Sequence, residues 1–149
     1  MKILFVCTGN TCRSPLAEAI ARRMLSELGK DNVIVSSAGT NAWEGSPASD
    51  AAILVGVERG LDLSEHRSRR LTAEMLADVD LVLAMSGEHI TRVRELDSTA
   101  NAYLLGGYAT GGGGHPIADP FGGGLEDYRA TADELEEELK GILDRINAA

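Results

Sequence analysis

Ile3-Leu4-Phe5-Val6-Cys7-Thr8-Gly9-Asn10-Thr11-Cys12-Arg13-Ser14-Pro15 joins an apolar run to a loop that carries a cysteine, five further residues and an arginine. Lys2 to Val6 reads as a strand buried on both faces, as parallel strands are. Pro15 sits in the first turn of a helical pattern that runs to Leu28. Ala17, Ile20, Ala21, Met24 and Leu28 fall on one face, and Gly29 is the stop. A strand-to-helix loop of this kind turns successive N–H groups inward and makes an anion nest. The helix start adds unpaired N–H groups and the positive end of its dipole. Arg13 supplies a planar fork that grips two oxygens, which a lysine cannot do. The same positive surroundings favour the thiolate of Cys7, the reactive form of a cysteine. One loop, Thr8, Gly9, Asn10, Thr11, Cys12, Arg13 and Ser14, is thus read as both a phosphate cradle and the setting of a nucleophile.

Outward from this loop, strands alternate with helices. Val33 to Ser37 reads as a second strand closed by an Ala38-Gly39 turn, and 47–59 as a helix stopped by Gly60. A short helix is expected at 72–77, with Thr72 at its start. A strand at 81–85, a helix at 86–96 and a short strand at 102–104 follow. Tyr128, Ala132, Leu135, Leu139, Ile142, Leu143 and Ile146 keep helical spacing through a last helix at 125–146. The alternation predicts a parallel α/β sandwich with its ligand site beyond the carboxyl ends of the strands, where Cys7 lies. No repeat or linker divides the chain, so 1–149 is read as one domain. The glycine-dense stretch from Gly106 to Gly124 is read as a mobile loop.

Composition narrows the classes. At 149 residues the chain fits one domain with a sizeable core. Neither a membrane span nor a signal peptide is expected, so no membrane partner is. Cys7 and Cys12 are the only cysteines, both within the loop. This is no secreted disulfide framework, and a working thiolate suits a reducing cytoplasm. A net charge of −9 argues against a nucleic-acid partner, yet local positive charge can still be concentrated in a cleft. The Cys7/Cys12 spacing, with no second ligand pair nearby, does not suit zinc. No metal and no cofactor is expected.

Cys7-x5-Arg13-Ser14-Pro15 near the N-terminus, with Asp119-Pro120 far downstream, resembles the low-molecular-weight protein phosphatase family over nearly the whole chain, from Lys2 to about Ile146. The resemblance implies a flavodoxin-like three-layer sandwich on a four-stranded parallel sheet. It implies that Cys7 attacks phosphorus to form a phosphocysteine that water then hydrolyses, one hard displacement becoming two easier ones. Arg13 and the loop amides would hold the equatorial oxygens. Asp119 would be general acid, then general base, with Pro120 biasing it toward an extended backbone. Ser14 would donate to the Cys7 thiolate, Asn10 would hold a left-handed loop position, and His66 would brace Asn10. Cys12 is either a backup thiol able to pair with Cys7 against irreversible oxidation, or an inert buried residue.

Within that family the loop string Cys-Thr-Gly-Asn-Thr-Cys-Arg-Ser is similar to the protein-arginine phosphatases. Tyrosine-directed members usually carry isoleucine or a similar bulky residue at the fifth loop position, here Thr11. They commonly follow Asp-Pro with tyrosine, where this chain has Phe121. Thr11 offers a polar wall that suits a planar guanidinium, and Asp119 can both bond that guanidinium and protonate the P–N nitrogen. Trp43 lies where tyrosine-directed members place a pocket aromatic. It can stack on phenyl or guanidinium, or merely cover the core edge. The expected substrate is a protein bearing phosphoarginine. The alternative is a low-molecular-weight tyrosine phosphatase, acting for instance on a tyrosine kinase of polysaccharide export. Thiol-coupled arsenate reduction needs a further cysteine pair that this chain lacks. A non-enzymatic phosphoprotein-binding module predicts an inert Cys7.

The remaining candidates have plainer readings. Asp119 before proline can be a turn starter, Ser14 can be a helix N-cap, and His66 can be a surface residue. His89 and His115 are expected to face solvent without a role, Tyr128 to pack in the core, and Glu136-Glu137-Glu138 to form a solvated helix face. A monomer is expected.

Overall fold

Alternation along the first strand organises the whole molecule. β1 (Lys2–Cys7) is followed by α1 (Arg13–Glu27), β2 (Ile34–Gly39), α2 (Asp50–Glu58) and α3 (Ala73–Ala77). β3 (Leu81–Ala84), α4 (Gly87–Leu96), β4 (Ala102–Leu104) and α5 (Leu125–Ala148) complete the chain, with a 3₁₀ turn at Tyr108–Thr110. The computed structural model describes residues 1–111 and 113–148; Gly112, inside the glycine-rich stretch, and Ala149 lie outside them. The four strands are all parallel, in the order β2-β1-β3-β4. Successive side chains of β1 point to opposite faces. Ile3, Phe5 and Cys7 therefore enter one apolar cluster with residues of α1, α2 and α5, among them Leu16, Ile20, Val55, Leu135 and Leu139. Leu4 and Val6 enter the other, with Leu76 of α3 and Val93 of α4. The result is a three-layer α/β sandwich of flavodoxin-like strand order.

The strand order places the site. The chain leaves β1 toward β2 on one side and β3 on the other, and ligands of such sheets gather beyond the carboxyl ends at that switch. Cys7 is the last residue of β1 and pairs with Gly39, the last residue of β2.

Several boundaries differ from the sequence expectation. Ala38 and Gly39 are not a turn but the end of β2, because pairing with β1 continues to Cys7. Gly39 is needed there for closeness rather than for its φ. A Cβ on it would lie 2.4 Å from the Thr8 carbonyl and 2.9 Å from the Asn10 amide nitrogen. α1 starts at Arg13, with Cys12 at its N-cap and no side-chain cap, so Ser14 lies inside the first turn rather than capping it. The buried face of α1 is Leu16, Ala17, Ile20, Ala21 and Leu25, whereas Leu28 is exposed at the C-cap. α2 begins at Asp50 because Ser49 caps it, its side chain accepting from the Ala52 amide. Thr72 caps α3 in the same way. The glycine-rich stretch is tied to the core at Ile117, which is fully buried and donates its N–H to the Met85 carbonyl at 2.8 Å. Among the described residues, no helix is long and apolar enough to cross a membrane.

Gly39→Ala tests the close approach of β2 to the loop. It is expected to destabilise the protein by about 1–3 kcal/mol in urea unfolding, the usual cost of overpacking. A stability equal to wild type would show that the loop gives way without strain.

Candidate active site

Asn10 sets the shape of the loop. It is the one non-glycine residue among those described with positive φ, at 57°, a left-handed conformation that asparagine tolerates better than most residues. It is also fully buried, so its polar atoms must be paired. Its side-chain amide donates to Ser14 Oγ at 2.8 Å and to Ser37 Oγ at 2.9 Å, and its Oδ1 accepts from the Arg69 amide at 2.8 Å. His66 Nε2 lies 2.7 Å from the Asn10 carbonyl. A carbonyl only accepts, so the His66 proton sits on Nε2. The Ser37 hydroxyl in turn donates to Glu18 Oε1 at 2.6 Å.

This arrangement fixes the direction of the bond at Cys7. Ser14 Oγ already accepts from Asn10, so its hydroxyl proton is free for Cys7 Sγ, 2.9 Å away. The Asn10 amide also points at that sulfur, at 3.3 Å. Two donors thus converge on a buried sulfur beside the N-terminus of α1, which no side chain caps.

Arg13 joins the cradle to the glycine-rich stretch. It is buried; its Nη1 donates to the Ile117 carbonyl at 2.9 Å, and its Nη2 lies 3.6 Å from Asp119 Oδ2. Asp119 is half exposed, and its Oδ1 accepts from the Phe121 amide at 3.0 Å, which fixes the carboxylate in an Asx turn. Cys7, Thr8, Gly9, Thr11, Cys12, Arg13, Asp119 and Phe121 enclose a cavity of about 210 Å³. Larger hollows lie at the β4 edge and behind the Asp119 loop, but neither contains Cys7.

Trp43 is not brought to this cavity. It is 84% exposed on the loop after β2 and is absent from the lining, while Phe121, 78% exposed, takes the aromatic place at the rim. Cys12 is a free thiol like Cys7, and its sulfur lies 3.4 Å from the Tyr128 hydroxyl and 3.5 Å from Ser49 Oγ. Tyr128 packs in the core, but it also carries this polar contact. Burial, then the bond to Cys12, pushes its phenol pKa up.

The expectation that His89 faces solvent is wrong. Its ring is buried, with Nδ1 accepting from the Ser86 amide at 3.1 Å and Nε2 lying 2.8 Å from Thr8 Oγ1. The signal was present in the sequence: a serine followed three residues later by a histidine, where the third strand ends beside the first. His115 is half exposed, near Glu134 and Glu138.

The site can be compared with known proteins. The family model for low molecular weight phosphotyrosine protein phosphatase matches residues 2–149. The chain belongs to that family. It is accordingly a phosphoprotein phosphatase, with phosphorylated protein as its substrate class. A protein-arginine-phosphatase of Bacillus subtilis (strain 168) is 39% identical over 98% of this chain and 97% of its own length. The low molecular weight protein-tyrosine-phosphatase Etp of Escherichia coli (strain K12) is 45% identical over 97% of this chain and 88% of its own. The solved YwlE arginine phosphatase, a C7S mutant with a phosphorylated active site serine, superposes with a TM-score of 0.93. It is 38% identical and covers 99% of this chain and 96% of its own. Family membership fixes the class of enzyme, while relatives of both specificities stand at comparable identity.

Burial, followed by the nearby Arg13 charge, lowers the His89 pKa from 6.5 to about 4. Between these values the unfolded chain binds a proton at His89 that the folded chain does not. Stability is therefore expected to fall as pH falls from 6.5 to 4, by about 3 kcal/mol at most. His89→Asn should flatten that part of the stability profile. Parallel profiles for the two proteins in chemical denaturation would refute the assignment.

Proposed function

We propose that the protein hydrolyses phosphoarginine in proteins. The observation that carries this reading is Thr11 on the wall of the cavity that Asp119 and Phe121 also line, where a bulky aliphatic residue would suit a phenyl ring. A guanidinium is planar, polar and rich in N–H donors, so a hydroxyl and a carboxylate can receive it. The Bacillus subtilis and Geobacillus stearothermophilus arginine phosphatases support the reading, at 39% and 41% identity. The tyrosine phosphatase Etp keeps the alternative in view.

The geometry supports a two-step mechanism. Cys7 Sγ attacks phosphorus, the P–N bond breaks, and Asp119 gives its proton to the departing guanidine nitrogen. Arg13 and the amides of Thr8 to Ser14 hold the three equatorial oxygens. Asp119 then takes a proton from water as that water displaces Cys7, which returns inorganic phosphate and the free thiolate. Ser14 stabilises the sulfur as it leaves, and Asn10 and His66 keep the loop curved. The phosphorylated serine of the YwlE mutant is consistent with a phosphorylated nucleophile at this position. Cys12 is the thiol that pairs with Cys7 under oxidation; both are free, buried thiols, and a working thiolate suits a reducing cytoplasm. The reading includes a monomer acting without metal or cofactor.

The test compares kcat/KM on a phosphoarginine and a phosphotyrosine peptide. Wild type is expected to favour phosphoarginine, and Thr11→Ile to shift the ratio toward phosphotyrosine by about tenfold or more, the scale of a pocket-shape change. A wild-type preference for phosphotyrosine would overturn the substrate assignment. Asp119→Asn is expected to lower kcat by about 10²–10⁴, the range for a lost general acid. It should do so less for a substrate with a good leaving group such as p-nitrophenyl phosphate. Equal losses on both substrates would argue against an acid role.

A further inference from the structure

The buried imidazole of His89, bonded to the cavity-lining Thr8, has no part in the mechanism above. His89 stands at the start of α4, behind the cradle, and both of its ring nitrogens are engaged. The Ser86 backbone N–H can only donate, so Nδ1 accepts and the proton of the neutral ring lies on Nε2. Nε2–H then donates to Thr8 Oγ1. With one lone pair of Thr8 Oγ1 occupied, its own proton must point elsewhere. Thr8 lines the cavity with Cys7 and Arg13, and no second partner for its hydroxyl exists among the described residues.

We propose that His89 is a positioning residue that turns the Thr8 hydroxyl into a donor aimed at a phosphoryl oxygen of the substrate. The cradle then binds phosphate with a side-chain hydroxyl as well as with its amides and Arg13. A hydroxyl whose oxygen already accepts a hydrogen bond is a better donor, because bonds in a chain polarise one another. The charged groups around the ring fit a neutral donor there. Arg13 disfavours a second proton, and Glu88, with Oε1 3.9 Å from Nε2, and Asp119 only partly offset it. A second proton would also sit on Nδ1, donor against the Ser86 donor. The proposal rests on the reading of this cavity as the phosphoryl site, and it is independent of whether the phosphoryl group comes from arginine or tyrosine.

Three substitutions separate the roles. Thr8→Val removes the hydroxyl at nearly constant shape, and Thr8→Ser keeps it. His89→Asn keeps an acceptor for the Ser86 amide but is too short to reach Thr8, so α4 retains its start. The readouts are the Kd for inorganic phosphate by calorimetry, kcat/KM on p-nitrophenyl phosphate, and Tm. Thr8→Val and His89→Asn are each expected to weaken phosphate binding and kcat/KM about tenfold or more, the scale of a hydrogen bond to a charged group. The double variant should be no worse than Thr8→Val alone, since one substitution acts through the other. Thr8→Ser should stay near wild type. Unchanged phosphate affinity in Thr8→Val would overturn the proposal, as would losses that multiply in the double variant. Should His89→Asn fail to fold, Thr8→Val against Thr8→Ser still decides whether the hydroxyl binds phosphate, and a null result there sinks the idea. A wild-type protein that binds phosphate but turns over no phosphorylated substrate would instead count against the phosphatase reading, leaving the Thr8 comparison to stand or fall by calorimetry.

Discussion

The structure turns on a left-handed asparagine. The loop after β1 must reverse sharply enough to aim its amides at one point, and Asn10 takes the residue conformation that permits this. That conformation is unfavourable by itself and survives only where the surroundings over-determine it. Here they do. Ser14, Ser37, the Arg69 amide and His66 occupy the Asn10 polar groups from three separate parts of the chain. The same bonds orient the Ser14 hydroxyl toward Cys7. Loop shape and sulfur environment are therefore two consequences of one buried network, which is high-stakes because a half-satisfied buried group is costly.

A second constraint links the cradle to the Asp119 loop. Arg13 emerges from the first turn of α1 and reaches Ile117 and Asp119, more than a hundred residues away in sequence. Its buried guanidinium has neighbours that use part of its fork, and the rest faces the cavity. A protein of net charge −9 thus concentrates positive potential where the helix end, the loop amides and this arginine converge. Global charge describes the surface facing solvent, while the site obeys local geometry.

Much of this could be read from local sequence. Four apolar residues before the cysteine, and the proline and apolar periodicity after the arginine, determine a strand, a loop and a helix in that order, because those signals act within a few residues. The alternation of strands and helices then leaves a parallel sandwich as the economical arrangement. Boundaries were less legible. Ala38-Gly39 looks like a turn, yet it is strand, because partner pairing with Cys7 outweighs local propensity. Leu28 fits the helical stripe, yet it lies past the last buried turn of α1.

The sequence by itself determined the class of chemistry, because nucleophile, cradle amides and arginine sit within one contiguous segment whose local conformation its own residues dictate. Tertiary structure decided what surrounds that segment. It buried His89 against Thr8, drew the Tyr128 hydroxyl to Cys12, and left Trp43 in solvent while Phe121 reached the rim. Those placements depend on which strand ends lie side by side and on how α5 packs across α1. Such contacts join residues tens of positions apart, and no local pattern of spacing or propensity encodes the distance between them.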